Sequence, residues 1–347
     1  MDFGLFYYCQ GRGVPHDQAY DEMLEQIALA ESLGFGECWF AEHHFTDYSL
    51  LPSPNLMIAA ALQRTRRMRF GNYINVLPMH HPLRLAAEAA TLDNLARGRF
   101  DFGIGKGVRP GEFAKIGVSF DDAPAMTDEA IEILLKLWTQ QTAWHDGKFW
   151  RFPELSLRPQ VFQRPHPPLH MVASRPASVE RVGERGWPVA LHFTPTDVVA
   201  RCVEDYRGAL ARRAEPAGEG AYRPRVLLCR ETYLAPTAEA ARAEGEVALQ
   251  GFWYLSSLAS PPLPATYSDA RFKELTGRVW GGRTYDELDA LGGMLIGSPE
   301  QVAPKVSALA AIGVDTLLLV CSFGDLRHDQ VCRSLELFSR TLIRPGR

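Results

Sequence analysis

Residues 69–105 read RFGNYINVLPMHHPLRLAAEAATLDNLARGRFDFGIG. Two short apolar runs, Arg69–Val76 and Arg99–Ile104, flank one helical pattern, Leu83–Leu95, which ends near Gly98. The runs are apolar on both parities, as strands buried on both faces must be. Strand, helix, strand in this order predicts a parallel sheet. The same alternation extends in both directions. Towards the N-terminus, Asp2–Tyr8 and Gly36–Ala41 read as strands. Gln18–Leu33 is helical: Met23, Leu24, Ile27, Ala28, Ala30 and Leu33 recur at threes and fours, and Gly34 closes the pattern. Asn55–Arg64 is a second helix. Towards the C-terminus, Met126–Trp138 is helical, and His145–Pro159 reads as a polar-aromatic hairpin turning at Asp146-Gly147. Pro168–Ala173, Val189–Phe193, Arg225–Leu234 and Asp315–Cys321 are further strands. Ala177–Arg185, Thr196–Leu210, a segment from Thr237, Pro299–Ala311 and Asp329–Thr341 are further helices.

Eight such units predict an α/β fold, a closed (β/α)8 TIM barrel with an inserted hairpin, spanning 1–347 as a single domain. Ser260–Gly297 breaks the rhythm. It is rich in Pro, Gly, Ser and Thr and too long for an ordinary connection, which is the pattern of a disordered segment or an active-site lid. The bulk numbers agree with a large core: 347 residues, 46% hydrophobic and 22% charged. A net charge of −4 gives no reason to expect nucleic acid or an anionic membrane as partner. No stretch approaches the ~20 apolar residues of a membrane span. The opening MDFGLFYYCQ lacks the basic and long apolar regions of a signal peptide, so a cytoplasmic protein is expected. Cys9, Cys38, Cys202, Cys229, Cys321 and Cys332 form no Cys-x-x-Cys pair, and four fall in or beside apolar runs. They read as reduced, buried small hydrophobes and not as metal ligands or a disulfide framework.

In a parallel barrel the active site lies at the C-terminal ends of the strands. The second strand ends in Ala41-Glu42-His43-His44-Phe45. Neighbours on a strand point to opposite faces, so only one of His43 and His44 faces the interior. An imidazole there can serve as acid or base near neutrality; the competing reading is a histidine that fills a polar layer. Two adjacent strand histidines are poor co-ligands, and no His-Glu-x-x-His helix is present, so no metal is expected. The third strand ends in Asn72-Tyr73-Ile74-Asn75, where two asparagines in an apolar run signal a bulge, a ligand contact or turn-capping groups. The fourth leads into Gly103-Ile104-Gly105-Lys106-Gly107-Val108-Arg109-Pro110-Gly111. No helix is predicted to open where a dinucleotide fingerprint needs one. The glycines let backbone approach a ligand, and Lys106 and Arg109 add positive charge; a flexible loop with solvated cations is the alternative. The fifth ends in Ala173-Ser174-Arg175-Pro176-Ala177-Ser178 ahead of a helix. Free N–H groups at a helix start bind phosphate, although Ser174 or Ser178 reads equally as a plain cap. Together these ends suit a phosphorylated cofactor with its reactive end near His43.

These segments resemble the bacterial-luciferase-like flavin monooxygenases over nearly the whole chain. The resemblance runs through Asp2-Phe3-Gly4-Leu5-Phe6, Gly34-Phe35, Glu42-His43-His44-Phe45, Val76-Leu77-Pro78 with His81-Pro82, and Gly98-Arg99-Phe100-Asp101-Phe102-Gly103. It continues through Glu112-Phe113 with Gly117-Val118 and Gly297-Ser298-Pro299-Glu300-Gln301. It implies a luciferase-like barrel that takes reduced FMN from a separate flavin reductase, reacts it with O2, and oxidises a small organic substrate through a flavin hydroperoxide. A homodimer is also implied. His43 is then the catalytic proton-transfer residue. The flavin ring is expected at a bulge at Tyr73 and Ile74, sometimes a cis peptide in the family. The phosphate is expected at Lys106 and at Ser174, Arg175 and Ser178. Glu42, Arg109 and Ala173 complete the expected cofactor contacts, and the family's mobile lid corresponds to Ser260–Gly297.

Three positions depart from the family pattern. Lys106 stands where the luciferases have arginine, which keeps the charge but loses the bidentate fork. Pro124 replaces a second arginine, and Gly105 replaces the reactive cysteine, so light emission is not implied. Two other functions fit the same barrel: a deazaflavin-dependent dehydrogenase that moves a hydride, and a non-catalytic flavin-binding protein. Phe6, Tyr8, Trp253 and Trp280 are candidates for an aromatic substrate pocket, though each also reads as an ordinary core or surface aromatic.

Overall fold

The strands are β1 (Asp2–Tyr7), β2 (Glu37–Phe40), β3 (Arg69–Asn72), β4 (Asn75–Val76), β5 (Phe100–Gly105), β6 (Ala143–Asp146), β7 (Arg151–Leu155), β8 (Leu169–Val172), β9 (Val189–Leu191), β10 (Val226–Leu234), β11 (Met294–Gly297) and β12 (Thr316–Val320). Between them run α1 (His16–Leu33), α2 (Pro54–Leu62), α3 (Pro82–Ala96), α4 (Pro110–Ile116), α5 (Ala123–Thr139), α6 (Pro176–Arg185), α7 (Thr196–Ala211), α8 (Ala238–Leu258), α9 (Tyr285–Ala290), α10 (Pro299–Ala311) and α11 (His328–Phe338). The computed structural model describes residues 1–11, 13–173, 176–192, 195–213, 223–258 and 283–343, without the side chains of 176, 257 and 258.

Parallel pairing runs β1-β2-β3-β5-β8-β9-β10-β12, and β12 returns to β1, so the eight strands close a barrel. Residues level with one another in this ring fill its interior. Phe6 pairs with Trp39, and Trp39 with Gly71. The Trp39 ring needs that glycine: a Cβ on Gly71 would lie 2.3 Å from it. The lower end of the barrel is closed by charge. Glu37 takes Arg225 at 2.7 Å and the Trp39 indole N–H at 2.6 Å, and Asp101 pairs with Arg69 at 2.7 Å.

Local signals act as read. Gly34 ends α1 at φ 101°, a left-handed conformation glycine adopts without steric cost. The hairpin forms as β6 and β7, with Asp146 opposite Arg151. All six cysteines are free; five are buried and Cys332 is partly so. Among the described residues, no helix is long and apolar enough to cross a membrane.

Three expectations change. The run Arg69–Val76 is not one strand: the ladder breaks between Asn72 and Asn75, and the Tyr73–Ile74 peptide is cis. Both asparagines are fully buried and clamp the break to α2, Asn72 Nδ2 donating to Asn55 Oδ1 at 2.6 Å and Asn55 Nδ2 to Asn75 Oδ1 at 3.2 Å. Secondly, the stretch after Gly107 is not a loop throughout. Pro110 opens α4, because proline's fixed φ and missing N–H suit a first helical position. Thirdly, the segment expected to be a lid is not loop throughout. Its last part is α9 and β11, and β11 pairs with the C-terminal half of β10. Residues 260–282 of that segment, with Trp280, lie outside the described residues.

Candidate active site

His43 follows the end of β2, where its N–H donates to the Leu51 carbonyl at 3.1 Å. Its ring lies against Tyr8 (centroids 6.1 Å apart, nearly parallel) and edge-on to Tyr48 at 5.0 Å. His43 Nδ1 is 3.0 Å from Glu112 Oε1, in the first turn of α4. Arg109, at the start of α4, stacks its guanidinium 4.3 Å over Tyr48 and sets Nε 3.9 Å from Glu112 Oε1. Its two terminal nitrogens reach the Ser256 carbonyl and hydroxyl on α8, each at 3.3 Å. Burial lowers the His43 pKa, and the Arg109 charge lowers it further, against the opposing Glu112 hydrogen bond. His43 is therefore neutral at pH 7. With Nδ1–H donating to Glu112, Nε2 is left as the acceptor, the form a general base needs.

His44, also beyond the end of β2, makes different contacts. Its Nε2 is 2.9 Å from Glu42 Oε1. Glu42 is buried and also accepts from the Val76 N–H at 2.9 Å and from His80 Nε2 at 2.9 Å. Burial alone would raise the Glu42 pKa, but the His80 charge and the hydrogen bonds from His44, His80 and Val76 pull it down to about 2. Glu42 thus latches the rim of β2 to β4 and to the 3-10 turn Leu77–Met79 that carries the chain to His80.

The other predicted residues divide between the barrel interior and its rim. The Tyr73 ring points into the barrel, 5.0 Å from Phe6 and 5.9 Å from His192. The Ile74 side chain covers Gly105: a Cβ there would meet Ile74 Cδ1 at 2.3 Å, so the glycine at the family's cysteine position makes room for this isoleucine. Ile104 pairs with Met171, and Lys106 and Ala173 follow just past the ends of these neighbouring strands. Ser178 sits in the first turn of α6, just beyond Ala173. Lys106 Nζ lies 4.9 Å over the Phe120 ring. Pro124 is the second residue of α5, and Trp253 is partly buried against the core. Ser174 and Arg175 lie outside the described residues. Arg109 and Lys106, one cationic loop in the sequence, thus separate, Arg109 joining the His43 cluster.

Sequence reasoning did not single out Glu112, Tyr48 or His192. The Glu112-Phe113 motif contained the first without revealing its partner. His192, at the end of β9, meets the Tyr8 hydroxyl through Nδ1 at 3.3 Å. Burial holds its pKa well below the usual value, with Arg230 and His43 adding to the effect. Among the described residues, no group of three His, Cys, Asp or Glu is placed to hold a metal ion. A consequence concerns Glu112. Because its hydrogen bond opposes the burial of His43, Glu112→Gln is expected to lower the His43 pKa further. The acidic limb of kcat/KM then moves to lower pH; an unmoved limb separates Glu112 from His43 function.

Comparison with known proteins bears on this arrangement. The sequence profile described as luciferase-like monooxygenase matches residues 1–316. Protein y4vJ of Sinorhizobium fredii, itself uncharacterised, is 36% identical over 197 residues, 55% of this chain and 56% of that one, so the match spans about half of that relative. The oxygenase component of a flavin-dependent trigonelline monooxygenase from Acinetobacter baylyi is 34% identical over 246 residues, 70% of this chain and 67% of that one. Among solved structures, the monooxygenase RslO1 from Streptomyces bottropensis superposes with a TM-score of 0.82 at 28% identity, covering 99% of each chain. With the profile spanning most of its length and the barrel intact, the chain belongs to the luciferase-like monooxygenase family.

Proposed function

We propose that this protein is the oxygenase component of a two-component monooxygenase. It takes reduced FMN from a separate flavin reductase and uses O2 to oxidise a small organic substrate. The observation that carries this reading is His43, held by Glu112 against Tyr8 at the C-terminal rim of the barrel, where burial favours its neutral form. The similarity to an oxygenase component supports the two-component arrangement. The residues present fit FMN. Lys106, just past the end of β5, and the first turn of α6 with Ser178, just past the end of the neighbouring β8, would supply a cation and helix N–H groups, the donor set a phosphate needs. Tyr73 and Ile74, the latter packed over Gly105, would border the ring.

When bound, reduced FMN supplies the electrons that activate O2. The protein's own contribution is positional and protonic. His43 Nε2 accepts or returns the proton of the reacting centre, and Glu112 fixes which nitrogen is free to do so. The Tyr8, Tyr48 and Phe252 rings, packed 4.8–5.6 Å apart, exclude water from the same region. The protein works in this reading as one barrel domain in a homodimer.

The test is a stopped-flow reaction of the protein with reduced FMN and oxygen, followed by oxygen-18 incorporation into product. Oxidised flavin is expected to appear more slowly than from free reduced FMN, with label in the product of a turned-over substrate. Flavin oxidation at the free rate, together with anaerobic consumption of a reduced deazaflavin, would replace this reading with hydride transfer.

A further inference from the structure

Two buried ionisable residues follow one another on β10, Arg230 and Glu231. Their side chains part. Arg230 turns outward, its Nε donating to the Gly292 carbonyl at 3.1 Å ahead of β11. Glu231 turns into the barrel, as the register requires: it pairs with Val320, and Val320 pairs with Phe6. Residues level in a sheet share a face. Phe6 is interior, its ring 4.9 Å from Tyr8 and 5.3 Å from His192. Glu231 therefore belongs to the layer just beneath the His43 cluster.

That carboxyl is poorly provided for. Glu231 is 4% exposed, and its Oε1 has no hydrogen-bond partner among the described residues. Leaving a buried acceptor unsatisfied is costly, and it is tolerated where a ligand completes the site. Burial pushes the Glu231 pKa up to about 7, against the opposing effects of its own N–H and of Arg230. On its interior side Glu231 is level with Phe6 and feels the Tyr8 and Tyr48 hydroxyls, and Phe252 packs on both tyrosines. Such rings present π faces that attract flat cations, and a carboxylate among them supplies the counter-charge.

We propose that Glu231 is a substrate-binding residue whose carboxylate pairs with a positively charged nitrogen in a flat heteroaromatic substrate, held among the Phe6, Tyr8 and Phe252 rings. This deepens the proposed function and rests on its placing the substrate at the barrel mouth. It separates from that reading experimentally, because binding is measured without flavin, reductase or turnover.

Around Glu231, the tyrosines, the thiol and the guanidinium titrate above pH 8. Burial raises Tyr8, Tyr48 and Cys229, Tyr48 to about 12, and lowers Arg230 to about 10. His43 and His192 are lowered below the usual histidine value, first by burial. The partners across the ladder, Val320 and Met294, are apolar.

The probes are 1-methylquinolinium, whose charge does not change with pH, and neutral 1-methylnaphthalene of the same shape. Each is titrated calorimetrically into the full chain and into Glu231→Gln. The cation is expected to bind wild type about tenfold more tightly at pH 8 than at pH 6, as the carboxyl ionises. Glu231→Gln should bind it about tenfold more weakly at pH 8, with a flat pH profile. The hydrocarbon should bind both proteins alike. Equal cation binding by the variant, a flat wild-type profile, or a hydrocarbon as tight as the cation at pH 8 overturns the proposal, as does no cation binding at all. Should circular dichroism show the variant unfolded, the wild-type profile and the contrast between probes decide.

Discussion

Replacing His43 with alanine is expected to slow substrate oxidation by about 10²–10⁴-fold, the usual worth of a general acid or base. Affinity for reduced FMN should change little. The contrast follows from where the side chain points. His43 faces Tyr8, Tyr48 and Glu112, whereas the groups proposed to hold phosphate stand at Lys106 and α6. His44→Ala is the control, since His44 is bonded to Glu42. Steady-state turnover and flavin titration of both variants are the measurements. Turnover that survives in His43→Ala would remove this imidazole from the chemistry.

The second large effect is on stability. Glu42→Ala is expected to cost about 3–5 kcal/mol, because it strands His80, His44 and the Val76 N–H at a buried site. The midpoint of urea unfolding reads this directly. The pH dependence has two sides. The folded Glu42 pKa lies at about 2, below its ordinary 4.5, so its stabilisation is full above pH 4.5 and lost as pH falls towards 2. For His80, burial alone would lower the pKa, but Glu42 raises it above 6.5. That contribution is full below pH 6.5 and lost as pH rises through the raised value. The latch is thus strongest in mildly acidic solution. A denaturant midpoint in Glu42→Gln that matches wild type at pH 5.5 would refute it.

Much of this was legible in the sequence because it is local. The alternation of apolar runs with helical spacing gave the barrel, and Pro299–Ala311 matches its observed bounds. His43 and His44 do have different partners, as expected, although both lie beyond the end of β2 rather than on the strand. Other features needed the tertiary structure. The break at Tyr73–Ile74 was signalled by its asparagines, but the side chain that clamps both, Asn55, sits on another element. Pro110 read as a loop residue because a proline marks the start of a helix as readily as its absence. Met294–Gly297 was absorbed into the expected lid because its glycine-rich flanks hid a short strand that pairs with β10, far away in sequence. Glu112 meets His43 across 69 residues and His192 meets Tyr8 across 184, separations that no spacing rule reaches.

Closure of the ring has a consequence for how the chain is made. β1 has β2 on one side and β12 on the other, with Asp2 level with Thr316. During synthesis, the outer edge of β1 and the matching edge of β10 leave the ribosome long before the strand that joins them. Open strand edges are templates for pairing with other chains. Contacts this distant in sequence also form slowly. A chain that stops short of Thr316 would not be a smaller barrel but a curled sheet with two adhesive borders, and it should aggregate where the full chain folds.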